Sequence, residues 1–148
     1  MKIRIVAEDP ARTEVGWLVA GLFEEQLEPP LWLRETAGAD VMRRLIASRD
    51  LSASLGEASA IHSLSGLASG SLLVVGLGPR NSFGTGQAFD TGVLVGKRLG
   101  GRHRESIGFV LPDVGSMAAD VASALVQGVL VGTSGPGLAK SEPSRFPF

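Results

Sequence analysis

The chain of 148 residues contains no cysteine and no tyrosine, and its aromatic content is two Trp and six Phe. The absence of cysteine excludes disulfides, thiolate zinc sites and a cysteine nucleophile. Histidine is nearly as scarce. His62 and His103 stand forty-one positions apart, with no His-x-x-x-His pair and no adjacent glutamate, so a histidine-based metal centre is not expected. No charge sign dominates: fourteen Lys and Arg face fifteen Asp and Glu, for a net charge of −1. A dedicated nucleic-acid binder usually carries a basic excess, so that role is not expected either. No uninterrupted apolar run reaches about 18 residues, and a membrane span is not expected. The opening stretch 1–7 (MKIRIVA) has no long apolar segment of the signal-peptide kind. These absences together point to a cytoplasmic protein.

What remains is an ordinary globular composition, 44% apolar and 20% charged, with one domain's worth of chain and enough of it to bury a core. Residues 3–7 alternate, with Ile3, Ile5 and Ala7 on one face, and predict a first strand that Asp9-Pro10 stops. Residues 15–23 (VGWLVAGLF) are apolar on both faces, as in a buried strand of an α/β sheet. Residues 39–49 predict a helix with Val41, Leu45 and Ile46 as its apolar stripe and Asp40 near its start. Residues 59–64 predict a short strand. Residues 71–76 (SLLVVG) are the clearest buried strand, closed by Gly76-Leu77-Gly78-Pro79. A helix over 85–99 follows, ending at Gly100-Gly101. Its Gly92 and Gly96, four apart, make a smooth face that a sheet or another helix can approach. Residues 106–111 (SIGFVL) predict a further strand, and Ser116 is placed to cap a helix running to about 131. Gly128 and Gly132 repeat the four-residue glycine spacing.

The alternation of strands and helices in the second half implies a largely parallel sheet. The expected class is a three-layer α/β fold, its central sheet mostly parallel or mixed, with helices on both faces. The domain is expected over 1–132. Residues 133–148 (TSGPGLAKSEPSRFPF) lose all periodicity and read as a linker or tail. That tail ends on Phe146-Pro147-Phe148, and exposed aromatics want a surface to pack on.

No catalytic constellation stands out. The acids are scattered singly or in adjacent pairs, without the converging carboxylates that two-metal hydrolysis requires, and no serine sits in Gly-x-Ser-x-Gly. The one ligand signal is the stretch 76–81, which follows a buried strand and precedes a helix. Gly76, Gly78, Arg80 and Asn81 are its candidate binding residues, because backbone amides in such a loop can cradle a phosphate. The dinucleotide fingerprint is incomplete, since Asn81 stands where a third glycine belongs, and no Gly-Lys-Ser/Thr is present. Turn geometry accounts for the glycines without a ligand. The basic run Lys97, Arg98, Arg102, His103 and Arg104 falls at a helix C-terminus, where cations complement the dipole. Read instead as a nucleic-acid patch, it lacks interleaved aromatics.

Four stretches resemble the N-terminal domain of the leucyl (cytosol) aminopeptidases: residues 15–25 (VGWLVAGLFEE), 71–79 (SLLVVGLGP), 92–112 (GVLVGKRLGGRHRESIGFVLP) and 118–133 (AADVASALVQGVLVGT). Gln127 stands where the family has Glu, and 134–137 (SGPG) replaces a Tyr-Arg-Phe-Asp-like run. The resemblance implies a macro-domain-like α/β fold. It also implies a parent hexameric enzyme that removes N-terminal residues from peptides with two divalent metals, zinc or manganese. In that family the metal ligands and catalytic residues lie in the C-terminal domain, so no catalytic residue, metal or cofactor is expected within these 148 residues. The expected role is that of a non-catalytic N-terminal domain of a leucyl aminopeptidase-like metallopeptidase, serving assembly and active-site access. Its expected partners are its own catalytic domain or further copies of the chain. The alternative is a stand-alone macro-like module that binds a nucleotide or an ADP-ribose-type ligand.

Overall fold

A computed structural model describes residues 2–134, Phe146 and Phe148. Four strands form one sheet: β1 (Trp17–Phe23), β2 (Ala58–His62), β3 (Ser71–Gly78) and β4 (Ile107–Val110). Their order is β2-β3-β1-β4. β1 runs parallel to β3, with Leu18 opposite Leu72, and parallel to β4, with Trp17 opposite Ile107. β2 is antiparallel to β3, with His62 opposite Ser71. The sheet is therefore mixed around a parallel centre.

Strand alternation sends successive side chains to opposite faces, and both faces of the central strands are buried. Trp17, Val19, Phe23, Leu73, Val75 and Leu77 pack on one side with residues of α3 (Thr85–Leu99) and α4 (Ala118–Thr133). Leu18, Ala20, Leu22, Leu72 and Val74 pack on the other with Leu33 of α1 (Leu31–Arg34) and Met42 of α2 (Ala39–Ala47). All eight residues of β3 are buried, which is why that strand reads as a continuous apolar run rather than an alternating one. The chain is thus a three-layer α/β domain with helices on both faces.

The glycine pairs find each other. A Cβ built on Gly92 would lie 2.2 Å from the Leu125 carbonyl oxygen and 3.0 Å from Gly128 Cα. One built on Gly132 would lie 2.4 Å from the Val93 carbonyl oxygen and 2.9 Å from Gly96 Cα. The smooth faces of α3 and α4 are therefore in backbone contact, with no room for side chains between them. The buried face of α4 combines Gly128 and Gly132 with Val121, Leu125, Val129 and Thr133. By length and composition the helical stretch Gly115–Thr133 is apolar enough to cross a bilayer. The stretch is not an uninterrupted apolar run, because Ser116, Asp120, Ser123 and Gln127 break it.

Several expectations are corrected. Residues 3–7 form no strand, and Ile5 is 88% exposed. Alternation permits a strand, but a strand also needs an edge to accept its hydrogen bonds, and neither β2 nor β4 pairs with this segment. Ser116 does not cap α4. It lies in a 3-10 turn, Gly115–Met117, and α4 begins after Met117 without a side-chain cap. The acid that serves this turn is Asp113, whose Oδ1 accepts from the Gly115 amide at 3.3 Å. At the start of α3, Gln87 Oε1 accepts from the Gly84 amide at 3.1 Å, supplying half of a capping box. α4 extends through Thr133. Most of the expected tail, 135–145 and 147, lies outside the described residues. Its two phenylalanines do find a surface: the Phe146 amide donates to the Gly100 carbonyl at 2.8 Å, and Phe148 packs against the α3–α4 side of the core.

Candidate functional site

The candidate residues Gly76 and Gly78 are not in a turn. Both are in β3, which runs two residues further than expected. Their amides donate to the carbonyls of Glu57 and Ala53, each at 2.9 Å. A Cβ on Gly76 would lie 2.1 Å from the Ser54 carbonyl oxygen, so close approach of the 53–57 backbone requires glycine there. Gly78 has φ +72°, which favours glycine for a second reason. Arg80 and Asn81 lie in the 3-10 turn Arg80–Ser82 that follows the strand. The structure thus brings Arg80 into a cleft but commits the two glycine amides to the fold.

The cleft occupies about 480 Å³ at the carboxyl ends of β1 and β4. The chain leaves β1 toward α1 and α2 on one face, and leaves the adjacent β4 toward α4 on the other. Neighbouring strands whose connections depart to opposite faces leave a crevice between them, and α/β folds bind ligands in such crevices. Arg80 guards one side. Its guanidinium carbon sits 4.2 Å above the centroid of Phe23, and its Nη1 donates to the Asp113 carbonyl at 2.8 Å. Its backbone amide donates to both carboxylate oxygens of Glu25, at 3.1 and 3.2 Å. A carboxylate of the chain itself therefore occupies the one amide of this turn that faces a formal anion. Gln26, Trp32, Arg34 and Asp113 add to the polar and aromatic lining, and Arg34 Nε donates to the Pro29 carbonyl at 3.0 Å.

Glu25, Trp32, Arg34 and Asp113 were not anticipated as site residues. The available signal was positional: Glu25 and Asp113 each follow closely on a strand end, where an α/β crevice forms.

Two of the remaining polar candidates, His62 and Arg104, have structural partners. His62 ends β2, its Nδ1 3.1 Å from Ser71 Oγ, and its ring meets Trp17 edge-on at 5.2 Å. In the basic run, Arg104 Nε donates to the Leu99 carbonyl at 2.9 Å, closing the end of α3, and its guanidinium lies 4.7 Å from the Trp17 ring centroid. Burial, and then the neighbouring charge of Arg102, depress the Arg104 pKa below its ordinary value. Among the described residues no group of three or more His, Cys, Asp or Glu is placed to hold a metal ion.

A family model for the N-terminal domain of the cytosol aminopeptidase family matches residues 19–141, a span that begins within β1 and takes in the other three strands and α1 to α4. The chain belongs to the cytosol aminopeptidase family. The part of that family it represents is the N-terminal domain. Among solved structures, it is similar to the bottromycin maturation enzyme BotP in complex with Mn, with a TM-score of 0.61 and 20% sequence identity. That likeness covers 88% of this chain and 25% of BotP. It supports the α/β fold, and this chain corresponds to a quarter of the longer protein. The comparison with curated proteins gives no match.

Proposed function

We propose that this cytosol aminopeptidase N-terminal domain is non-catalytic, and that it serves assembly of a leucyl aminopeptidase-like metallopeptidase and access to its active site. The observation that carries the reading is the family match over residues 19–141. The metals of such an enzyme, two zinc or manganese ions, would belong to a catalytic domain outside these 148 residues. The partner would be that domain, within a cytoplasmic homo-oligomer such as the family's hexamer. Co-purification with a separately produced catalytic domain of the family, followed by light scattering, tests assembly. A stable complex supports it, and two species that stay separate at about 10 µM count against it. The chain alone, given zinc or manganese, is expected to leave leucine anilides uncleaved. Robust metal-dependent turnover would overturn the non-catalytic reading.

A second reading, a stand-alone module for a nucleotide or ADP-ribose-type ligand at Gly76, Gly78, Arg80 and Asn81, has the position of Arg80 on the cleft in its favour. Calorimetric titration with ADP-ribose tests it, and no heat at millimolar ligand rejects it.

A further inference from the structure

The cleft between the ends of β1 and β4 is lined by two cations and two anions, and no ion pair among the described residues joins them. Arg34, Arg80, Glu25 and Asp113 all line it, yet the ion pairs among the described residues are Arg12–Asp9, Arg43–Glu28 and Arg43–Asp40. Each of the four is instead tied to the backbone. Glu25 accepts from the Arg80 amide, and Asp113 Oδ1 accepts from the Gly115 amide. Arg34 donates to the Pro29 carbonyl and Arg80 to the Asp113 carbonyl. Backbone tethers restrain a side chain without cancelling its charge. Such a group costs less ordering entropy when a ligand engages it. Trp32 supplies aromatic surface in the same cleft, whereas Phe23 is buried beneath Arg80.

From this pattern we infer that the cleft is a binding site for a small zwitterion, a short peptide with free termini and an apolar side chain. Its ammonium group faces Glu25 and Asp113. Its carboxylate meets the guanidinium groups of Arg80 and Arg34, whose planar forks suit a carboxylate. Its side chain lies on Trp32. The volume of about 480 Å³ falls in the range of small-molecule sites. It exceeds what a single amino acid would fill. The two carboxylates disfavour a diphosphate ligand, because like charges repel and Glu25 already holds the Arg80 amide. The inference does not rest on the assembly reading, and its test is independent of it.

The experiment is an NMR titration of the full 148-residue chain with alanyl-valyl-leucine, its N-acetylated form, its C-terminal amide and ADP-ribose. The expected result is that the free peptide shifts the Trp32 indole and Gly21 amide signals, with both blocked forms weaker by about tenfold. Glu25→Gln keeps an oxygen for the Arg80 amide and removes the charge. It is expected to weaken the free peptide by about tenfold and leave the N-acetylated peptide unchanged. Arg80→Gln is expected to do the same for the free peptide and leave the C-terminal amide unchanged. Three results would overturn the inference: no shift of these signals by any peptide at about 10 mM, blocked peptides that bind as well as the free one, or ADP-ribose binding there more tightly than the free peptide. The wild-type chain with the blocked peptides decides the matter even if a variant fails to fold.

Discussion

Gly128→Ala sets two physical effects of opposite sign against each other. The new methyl group would lie 2.1 Å from the Phe89 carbonyl oxygen and 2.9 Å from both Gly92 Cα and the Val93 amide nitrogen. Every one of these neighbours is backbone, so no side-chain rotation relieves the clash. Ordinary contact begins at 3.4 Å, and α3 and α4 must part by roughly 1 Å. Parting them loosens Val121, Leu125 and Val129 in the core beneath and forfeits dispersion contacts. Overpacking costs about 1–3 kcal/mol, and more where backbone has to move. Against this, alanine in a helix interior gains about 1 kcal/mol over glycine. The expected net effect is a loss of about 2 kcal/mol, seen as a fall in Tm of about 4–8 °C for a chain of this size. Urea unfolding followed by circular dichroism measures it, with Gly86→Ala as the control. Gly86 is in α3, and a Cβ there meets nothing within 4 Å, so that change is expected to stabilise by about 0.5–1 kcal/mol. If Gly128→Ala proves as stable as the parent chain or more so, propensity alone governs the site and the close approach of α3 to α4 is refuted.

Two further outcomes follow from the packing. At Gly21 an added Cβ would lie 2.4 Å from Leu77 Cδ1 and 2.8 Å from Leu77 Cγ, a clash with a side chain that can be trimmed. Gly21→Ala is expected to destabilise by about 1–2 kcal/mol, and Leu77→Val in the same chain to recover at least about 0.5 kcal/mol of that. Strict additivity in the double-mutant cycle would show that the two positions do not touch. Arg104→Gln removes both the bond to the Leu99 carbonyl and the contact with the Trp17 ring. It is expected to cost about 1–2 kcal/mol and to shift the Trp17 emission. An unchanged spectrum and stability would place Arg104 in solvent.

β3 and α3 were legible because each is governed by short-range chemistry. A β-branched apolar run bounded by glycine has few alternatives to a buried strand, and residues 85–99 form α3 over the range the sequence predicts. β1, β2, β4 and α2 were legible to within a few residues at their ends, where local signals compete. Residues 3–7 failed for a different reason. Their alternation is real, but pairing depends on a free edge supplied by distant parts of the chain. Gly76 and Gly78 were read as turn glycines because Gly-Leu-Gly-Pro is a strong turn signal. What sets them is the approach of residues 53–57, from a separate stretch of chain about twenty positions earlier.

The cleft was the least legible feature. Arg80 was singled out for its place after a strand, but its surroundings come from the ends of β1 and β4 and from the Pro29–Arg34 region. No spacing rule links Glu25, Trp32, Arg80 and Asp113. They converge because β1 and β4 are neighbours in the sheet and send their chains to opposite faces.

The sequence by itself determined the class of fold and the family, since periodicity and the order of four stretches are local and additive properties of the chain. It also announced two smooth helix faces through the spacing of Gly92, Gly96, Gly128 and Gly132. Only the tertiary structure decided that those faces meet each other, that residues 3–7 form no strand, and which charges share a cleft. Each of these depends on contacts between residues far apart in the chain. Such contacts form only when burying both faces of the sheet outweighs the entropy of closing the loops between them.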